Sequence, residues 1–229
     1  MGTINYRAKR RPKKLSEYIQ LGNSKLPYST AIFNMSSAID CKSLQLGLCQ
    51  IPVSKTGKTQ CYAIKIERLF KTSYNYHVSQ GRYWAETTAE KFVLDFKLAM
   101  DKKKKMLSDH PITALRFNEA GDFISQADVD KAEEVAKLLS DLNIRVYVYT
   151  ARRDLSYTNC RHMVINFSTE LPSEYLLPVQ GKYGCYKAFK DVNSRPDNFG
   201  VCPCGIDEDK DCSNCRRCQL GVNSAVALH

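Results

Sequence analysis

Long apolar segments are absent from this sequence. No stretch approaches the roughly 20 consecutive apolar residues that a membrane-spanning helix needs, and the charged N-terminus lacks the apolar core of a secretory signal. We therefore expect a cytoplasmic protein with no membrane partner. Because disulfide bonds rarely persist in that compartment, the 10 cysteines are interpreted as metal ligands or reactive thiols. Export by another route would instead favour several disulfides.

Familiar catalytic patterns are also missing. The sequence offers no defensible nucleophile–base pair and no paired carboxylates of the glycosidase type. The segment Ser54–Thr59 is similar to the end of a phosphate-binding loop, but Pro52 stands where such a loop needs glycine, so an ordinary turn is expected. The four histidines show no ligand spacing: His77, His110, His162 and His229.

The composition is that of a soluble globular protein. At 229 residues, 43% hydrophobic and 25% charged, the chain is long enough for one sizeable domain. Its net charge of +10 is concentrated in a basic arm, Arg7–Lys14, and in the run Lys102–Lys105. The arm suits a nucleic-acid partner or an anionic substrate, although a solvated terminus explains it as well. The lysine run ends a predicted helix, where positive charge suits the helix dipole.

The middle of the chain alternates between strand and helix patterns. Strand–helix alternation implies parallel pairing through right-handed crossovers. A doubly wound sheet and a partial barrel both satisfy this rule. We predict an α/β fold with a partial (β/α) barrel-like parallel sheet and a cysteine-rich, loop-rich C-terminal extension. The predicted strands are Ser29–Asn34, Ile112–Phe117, Ile144–Thr150 and Met163–Phe167, and the predicted helices are Thr87–Leu107 and Asp128–Leu142, the second with Ser125 as its N-cap.

Three segments are predicted from these patterns. Residues 1–27 form a basic N-terminal arm with one short helix near Leu15–Ile19. Residues 28–175 form the β/α core, which includes a long loop between Met35 and Gln60. Residues 176–229 form the cysteine-rich segment, which we expect to bind metal.

Polar residues follow each predicted strand. In parallel α/β folds ligands bind at the carboxyl ends of the strands, so these side chains are expected on one face of the molecule. Gly121 permits a close backbone approach, and Glu119 and Asp122 are suited to a ligand amine or ribose hydroxyls. A helix-capping turn explains Asp122 equally well. The candidate cofactor-binding residues are Asn118, Glu119, Gly121, Asp122, Thr150, Arg152 and Asn166.

The C-terminal cysteines have metal-ligand spacing. Zinc sites present cysteines as separated C-x2-C pairs, whereas three cysteines at two-residue gaps plus a remote one are closer to ferredoxins. We predict an iron–sulfur cluster here, with zinc as the alternative. The predicted ligands are Cys202, Cys212, Cys215 and Cys218, and Cys204 is a substitute for Cys202.

The N-terminal cysteines are Cys41, Cys49 and Cys61, in the loop that follows the first predicted strand. A structureless loop of this length is uncommon unless it has a function. The loose spacing of these cysteines, taken alone, also fits free thiols. As cluster ligands, three thiolates on a four-iron cluster leave one iron open for substrate or cofactor, as three-ligand zinc sites leave one position open. Cys160 is expected to be a buried thiol, and Cys185 is a candidate fourth ligand to either group.

Several of these motifs together carry a resemblance. Cys61–Ala63, Leu115–Phe123, Tyr147–Arg152 and the two C-terminal cysteine motifs, in this order, resemble the phage and plasmid proteins labelled gene product 88. The layout of that family is in turn similar to radical S-adenosylmethionine (SAM) enzymes. In those enzymes a cluster loop follows the first barrel strand, and a glycine-and-acid motif at the second strand contacts the methionine amine.

The resemblance implies roles for the candidate residues. Cys41, Cys49 and Cys61 become ligands of a SAM-binding [4Fe-4S] cluster, residues 119–122 become the amine-contacting motif, and the C-terminal cysteines hold an auxiliary cluster. It also implies an external electron donor, an unknown substrate and, for a phage- or plasmid-encoded protein, a bacterial cytoplasm. Two alternatives remain: a non-enzymatic iron–sulfur protein for electron transfer or redox sensing, and a zinc-stabilised nucleic-acid-binding protein that uses the basic arm and aromatic stacking.

Overall fold

A single open sheet runs through the computed structural model, which describes residues 14–49, 61–107, 111–168, 183–189, 191–205 and 212–227. The strand order is β1-β2-β3-β4-β5-β6-β8-β7. Strand β1 is antiparallel to β2, and the other pairs are parallel. The strands are β1 (Gln20–Leu21), β2 (Thr30–Phe33), β3 (Ala114–Phe117), β4 (Arg145–Thr150), β5 (Met163–Phe167), β6 (Tyr183–Phe189), β7 (Gly200–Val201) and β8 (Ser224–Ala227).

The order of β1 to β6 follows the chain. No reversal of order occurs among these six strands, so this part of the sheet lacks the switch point of a doubly wound fold. Strand β6 pairs with β5 through residues 183–185 and with β8 through residues 186–189.

Five α-helices accompany the sheet in the described residues. Helix α5 begins where the sequence predicts, because Ser125 and Asp128 form a capping box. Short 3-10 turns occur at Leu15–Glu17, Val192–Ser194, Pro203–Gly205 and Arg217–Leu220. The α-helices are α1 (Lys42–Gln45), α2 (Tyr62–Leu69), α3 (Lys71–Glu86), α4 (Ala89–Leu107) and α5 (Gln126–Ser140).

The main core lies on one side of the sheet, which we call the helix face. Alternate residues of the strands pack there against α3, α4 and α5. Phe33 is fully buried at the end of β2 and meets Phe92 edge to face, with ring centroids 5.0 Å apart. Trp84 and Phe117 pack around the same pair. Burial of these rings stabilises the fold, since truncation of one such buried aromatic ring to alanine costs about 3–5 kcal/mol.

The opposite side of the sheet, which we call the cysteine face, carries different residues. In β4, Val146 and Val148 point to the helix face, while Tyr147 packs with Ala114 and Val164 on the other side. Cys218 packs against this second cluster. The side of the sheet away from the helices is therefore covered by part of the C-terminal cysteine segment.

The predicted elements between residues 29 and 167 are confirmed to within a few residues at each end. The short helix near Leu15 is also confirmed, as a 3-10 turn. Helices α2 and α3 were not predicted. The predicted loop from Met35 contains α1, and residues 50–60 of it lie outside the described residues.

Two predicted segment boundaries differ from the structure. Leu15, Tyr18 and Ile19 are buried in the main core, and β1 pairs with β2, so the chain joins the core well before residue 28. The basic stretch up to Lys13 lies outside the described residues. The segment predicted to be a loop-rich extension supplies β6, β7 and β8 to the sheet. Strands β7 and β8 were missed because they have only two and four residues.

Within the described ranges, no helix combines the length and apolarity required to cross a membrane.

Candidate functional site

Asp122 joins three strand ends at the carboxyl edge of the sheet. Its side chain is buried and accepts hydrogen bonds from the Thr150 hydroxyl at 2.7 Å, the Ala151 N–H at 2.8 Å and the Phe123 N–H at 2.8 Å. The Ser43 hydroxyl is a fourth donor. Burial raises the pKa of Asp122, and the four donors oppose that shift. Asp122 thus ties the cysteine loop after β2 to the ends of β3 and β4.

A pair of asparagines locks β2 to β3. Asn34 accepts the Ala120 N–H at 2.9 Å, and Asn118 accepts the Met35 N–H at 3.2 Å. Asn118 has a φ of 57°, a left-handed conformation that asparagine tolerates better than most residues. The two asparagines thereby fix the loops in which the cysteines and the acidic motif lie.

Gly121 is required by its conformation and its surroundings. Its φ is 72°, and an added Cβ would lie 2.5 Å from the Ser36 carbonyl oxygen. The Ser36 hydroxyl also bonds to the backbone N–H and C=O of Asp122. Gly121 therefore lets the loop after β3 lie directly on the loop after β2.

Arg152, which follows β4, also holds the loop after β3 in place. Its guanidinium donates to both carboxylate oxygens of Asp154, at 2.7 and 2.8 Å. It also donates to the carbonyl oxygens of Phe123 and Ile124. With Thr150 and Asp122, Arg152 belongs to one buried polar network that positions the loops.

Glu119 is the acid of the motif that stays partly exposed. Its carboxylate accepts a hydrogen bond from Asn23, and its carbonyl accepts the Tyr62 hydroxyl at 2.9 Å. Glu119 therefore lies between the N-terminal segment and the start of α2, facing the edge of the sheet.

The N-terminal cysteines gather around this edge. Cys41 and Cys61 occupy the N-cap positions of α1 and α2. Cys49 is close enough to Cys41 to influence its ionisation, and Cys61 packs on a small cluster that contains Ala38 and Ala120. Burial raises the pKa of Cys41 to about 12, with a further contribution from Asp122. The three thiols thus lie beside the loop that Asp122 fixes.

Glu67 anchors the start of the cysteine loop from α2. Its buried carboxylate accepts the N–H groups of Ala38 at 2.8 Å and Ile39 at 2.9 Å, and His77 Nδ1 lies 2.6 Å away. Burial alone raises the pKa of Glu67, but His77 and the two N–H groups together hold the pKa below its ordinary value.

This arrangement predicts a pH dependence. A lowered folded-state pKa contributes stability above the unfolded pKa, and that stability is lost as pH falls through the folded pKa. Glu67→Gln is therefore expected to lower the free energy of unfolding at pH 7 by about 1–3 kcal/mol. The difference from wild type should shrink as the pH falls below about 4.5. Urea unfolding between pH 3 and 7 measures it.

The control is Glu134→Gln, which removes an exposed carboxylate paired with Lys137. It should change the free energy of unfolding by less than about 0.5 kcal/mol at every pH. A constant difference between Glu67→Gln and wild type over this range would contradict the interpretation.

The C-terminal cysteines crowd against the cysteine face. The sulfur atoms of Cys204 and Cys212 lie 3.4 Å apart. The pKa of Cys212 is raised mainly by burial and by Cys204, with smaller contributions from Cys218 and Cys202. Burial raises the pKa of Cys218 to about 11, a value to which Cys202 and Cys215 also contribute. The five cysteines from 202 to 218 thus share one electrostatic environment.

This segment also spans the sheet. The Cys212 N–H donates to the Lys25 carbonyl at 2.7 Å, and Asn166 donates to the Cys218 carbonyl at 2.9 Å. It therefore runs from the N-terminal segment beside β1 to β5. Asn166, predicted to bind a cofactor, here holds the cysteine segment in place.

A group of aromatic residues around Arg116 was missed by sequence reasoning. Tyr149 lies edge to face with Tyr186 at 5.0 Å, and the Arg116 guanidinium lies 4.8 Å from the Tyr149 ring centroid. The Tyr149 hydroxyl lies within hydrogen-bonding reach of the Cys218 thiol, and the Tyr186 hydroxyl lies 3.9 Å from the Cys202 sulfur. The alternation of tyrosine with valine in β4 was the available signal, because it assigns Tyr147 and Tyr149 to a different face from the valines.

The ten cysteines are all among the described residues, and no disulfide joins any two of them. Across the described ranges, no group of three or more His, Cys, Asp or Glu side chains is positioned to hold a metal ion. The C-terminal thiols therefore have the donor chemistry of a site for a thiophilic metal, without closing around a single ion. Cys160 is buried in the main core, as predicted, and Cys185 is buried in β6.

Comparison with known protein families places the chain. The sequence profile of the family described as gene product 88 matches residues 5–221. The chain belongs to the gene product 88 family. Searches of curated proteins and of solved structures found no match. The match includes all ten cysteines and every candidate site residue, so the edge and the cysteine face described above both lie within the family's common region.

Proposed function

We propose that this member of the gene product 88 family is an iron–sulfur protein and a small radical SAM-like enzyme. The observation that carries the proposal is that both cysteine groups lie against one parallel sheet. One group surrounds its carboxyl edge, and the other lies on its cysteine face. Ligands of parallel α/β folds bind at that edge. The chain-ordered strands further support a partial (β/α) barrel.

The C-terminal cysteines would hold the auxiliary cluster. Four thiolates are the ligand type that a [4Fe-4S] cluster requires, with one thiolate on each iron. The ligands of such a cluster are therefore spread more widely than those of a single metal ion. The ligands we propose are Cys202, Cys212, Cys215 and Cys218, with Cys204 as the substitute because of its approach to Cys212. Such a cluster supplies one-electron transfer.

Residues of the cysteine face would influence the reduction potential of that cluster. Tyr149 and Tyr186 offer hydroxyls to the sulfur atoms of Cys218 and Cys202. Arg116 contributes positive charge close to Cys218. Hydrogen bonds to sulfur and nearby positive charge both raise the reduction potential of a thiolate-bound cluster.

The N-terminal cysteines would hold the second cluster and leave one iron for SAM. The Cys41 thiol must lose its proton before it binds metal, so loading of this site should release protons. Glu119, which stays partly exposed, and the backbone that follows it as far as Gly121 are proposed to contact the methionine amine. Asp122, Thr150 and Arg152 act by holding that loop, because their side chains are engaged with other parts of the chain.

Iron content after anaerobic purification tests the proposal. The full-length protein is expected to be brown and to contain about eight irons and eight sulfides per chain. Cys215→Ser and Cys61→Ser should each lower the iron content by about four. Cys160→Ala is the matched control, because it removes a core thiol that is not a proposed ligand, and its iron content should equal that of wild type.

The alternatives give different results in the same preparation. A colourless protein that contains zinc would refute the iron–sulfur proposal and favour a zinc-stabilised protein. In that case, binding to DNA or RNA that weakens steeply with salt would identify a nucleic-acid partner. A brown protein that does not cleave SAM after reduction would be an electron-transfer or redox-sensing protein. Loss of SAM cleavage in Cys61→Ala would locate the SAM site.

A further inference from the structure

Three buried polar atoms on or next to strands β2 and β3 lack a hydrogen-bond partner. Among the described residues, the buried side-chain atoms without a hydrogen-bond partner are Thr30 Oγ1, Arg116 Nε and Asn118 Nδ2. Thr30 pairs in register with Ala114, a cysteine-face residue. Arg116 lies two residues further along β3, and Asn118 comes directly after the end of that strand. Buried polar atoms are normally paired, so an unpaired atom on a charged side chain such as Arg116 indicates a missing partner.

Arg116 is the charged member of this group. Its guanidinium lies over the Tyr149 ring and within hydrogen-bonding reach of the Tyr62 hydroxyl. Within the described part of the chain, no carboxylate forms an ion pair with it. The Glu119 carboxylate, the acid nearest in sequence, is bonded to Asn23. Glu119 is still near enough to raise the pKa of Arg116, but it does not form an ion pair with the guanidinium. A largely desolvated cation without a directly bonded counter-charge is costly, which favours the binding of a compensating anion.

We propose that Arg116 binds an anionic oxygen group, a carboxylate or a phosphate, of a small molecule that lies against the cysteine face. A guanidinium stacked on an aromatic ring keeps its planar edge available for two parallel hydrogen bonds to such a group. Arg116 Nε itself is buried, but Arg116 and Tyr149 are each partly exposed as whole residues, which leaves a route for a ligand. The site lies between Tyr62, beside the N-terminal cysteines, and Cys218.

The inference does not depend on metal binding, because none of the residues that carry it is a proposed ligand. The competing explanation is that Arg116 only offsets the charge of the nearby C-terminal thiolates. That explanation predicts a change in iron content or visible absorption when Arg116 is replaced, with no effect on anion binding.

Isothermal titration of full-length, anaerobically purified protein tests the site. The probes are orthophosphate, pyrophosphate and succinate, titrated separately in low-salt buffer. At least one should bind with one-to-one stoichiometry, and the phosphate and carboxylate probes distinguish the two ligand classes. Arg116→Met should weaken that probe by about ten- to hundredfold, and Arg116→Lys should weaken it less. Arg153→Met, which removes an exposed arginine, should stay within about twofold of wild type.

Thermal unfolding separates binding from a structural role. Because Arg116→Met removes an uncompensated cation, its Tm without probe should equal or exceed that of wild type. A Tm more than about 5 °C lower would make Arg116 a structural residue and overturn the proposal. Failure of all three probes to bind, or equal binding by wild type and Arg116→Met, would also overturn it.

Discussion

Asp122→Ala is expected to lower the free energy of unfolding by about 3–5 kcal/mol. The substitution leaves four donors without an acceptor: the hydroxyls of Ser43 and Thr150 and the N–H groups of Phe123 and Ala151. These groups are buried at the meeting point of three loops, so water does not replace the lost bonds without opening the site. Urea unfolding followed by circular dichroism measures the change.

Asp122→Asn offers a graded comparison. The amide retains one oxygen acceptor but turns an NH₂ group toward donors, so an intermediate loss is expected. Asp130→Ala is the matched control, because Asp130 is exposed on α5 and accepts a hydrogen bond from Gln126. Its effect should stay within about 0.5 kcal/mol. If Asp122→Ala were as stable as this control, the buried network would not hold the edge together.

Phe33→Ala should destabilise the protein to a similar extent for an unrelated reason. Phe33 is fully buried and its ring lies 5.0–6.3 Å from four other aromatic rings. Removing the ring leaves a cavity that this rigid aromatic cluster does not fill, at a cost of about 3–5 kcal/mol. Chemical unfolding again measures the loss, and Phe33→Leu should show a smaller one.

Leu94→Ala is the control for this core substitution. Leu94 is 57% exposed on α4, so its replacement should cost less than about 0.5 kcal/mol. Because Phe33 directly precedes Asn34, the Phe33→Ala variant is also expected to loosen the asparagine pair between β2 and β3. Equal stability of Phe33→Ala and Leu94→Ala would show that the aromatic cluster is not the dominant core.

The parts of the fold predicted from sequence are those with strong local signals. The valine–tyrosine alternation of β4 and the Ser125–Asp128 cap of α5 each determine an element from a few neighbouring residues. Polar residues at the ends of β3 and β4 were correctly expected at one edge, since parallel strands present their carboxyl ends together. What the pattern did not reveal is that these side chains bond mainly to one another.

The missed elements depend on distant partners. Helix α3 contains polar residues and tyrosines whose burial is set by packing with residues far away in sequence, such as Tyr76 bonding to the Tyr18 carbonyl. Strand β8 is identified only by its pairing with β6 and β7. Arg116 could not be assigned a role from the sequence, because its surroundings are set by Tyr149 on the neighbouring strand.

The pairing of β6 with two different strands has a consequence for how the protein unfolds. Strand β6 pairs with β5 through its first half and with β8 through its second half. The strands that flank the cysteines from 202 to 218 in sequence, β7 and β8, therefore belong to the same sheet as β5. Cutting the chain after Phe189 would therefore expose a new sheet edge and uncover Tyr147 and Tyr149, instead of releasing an independent module. Unfolding of the C-terminal segment and of the remaining sheet should thus be a single cooperative event.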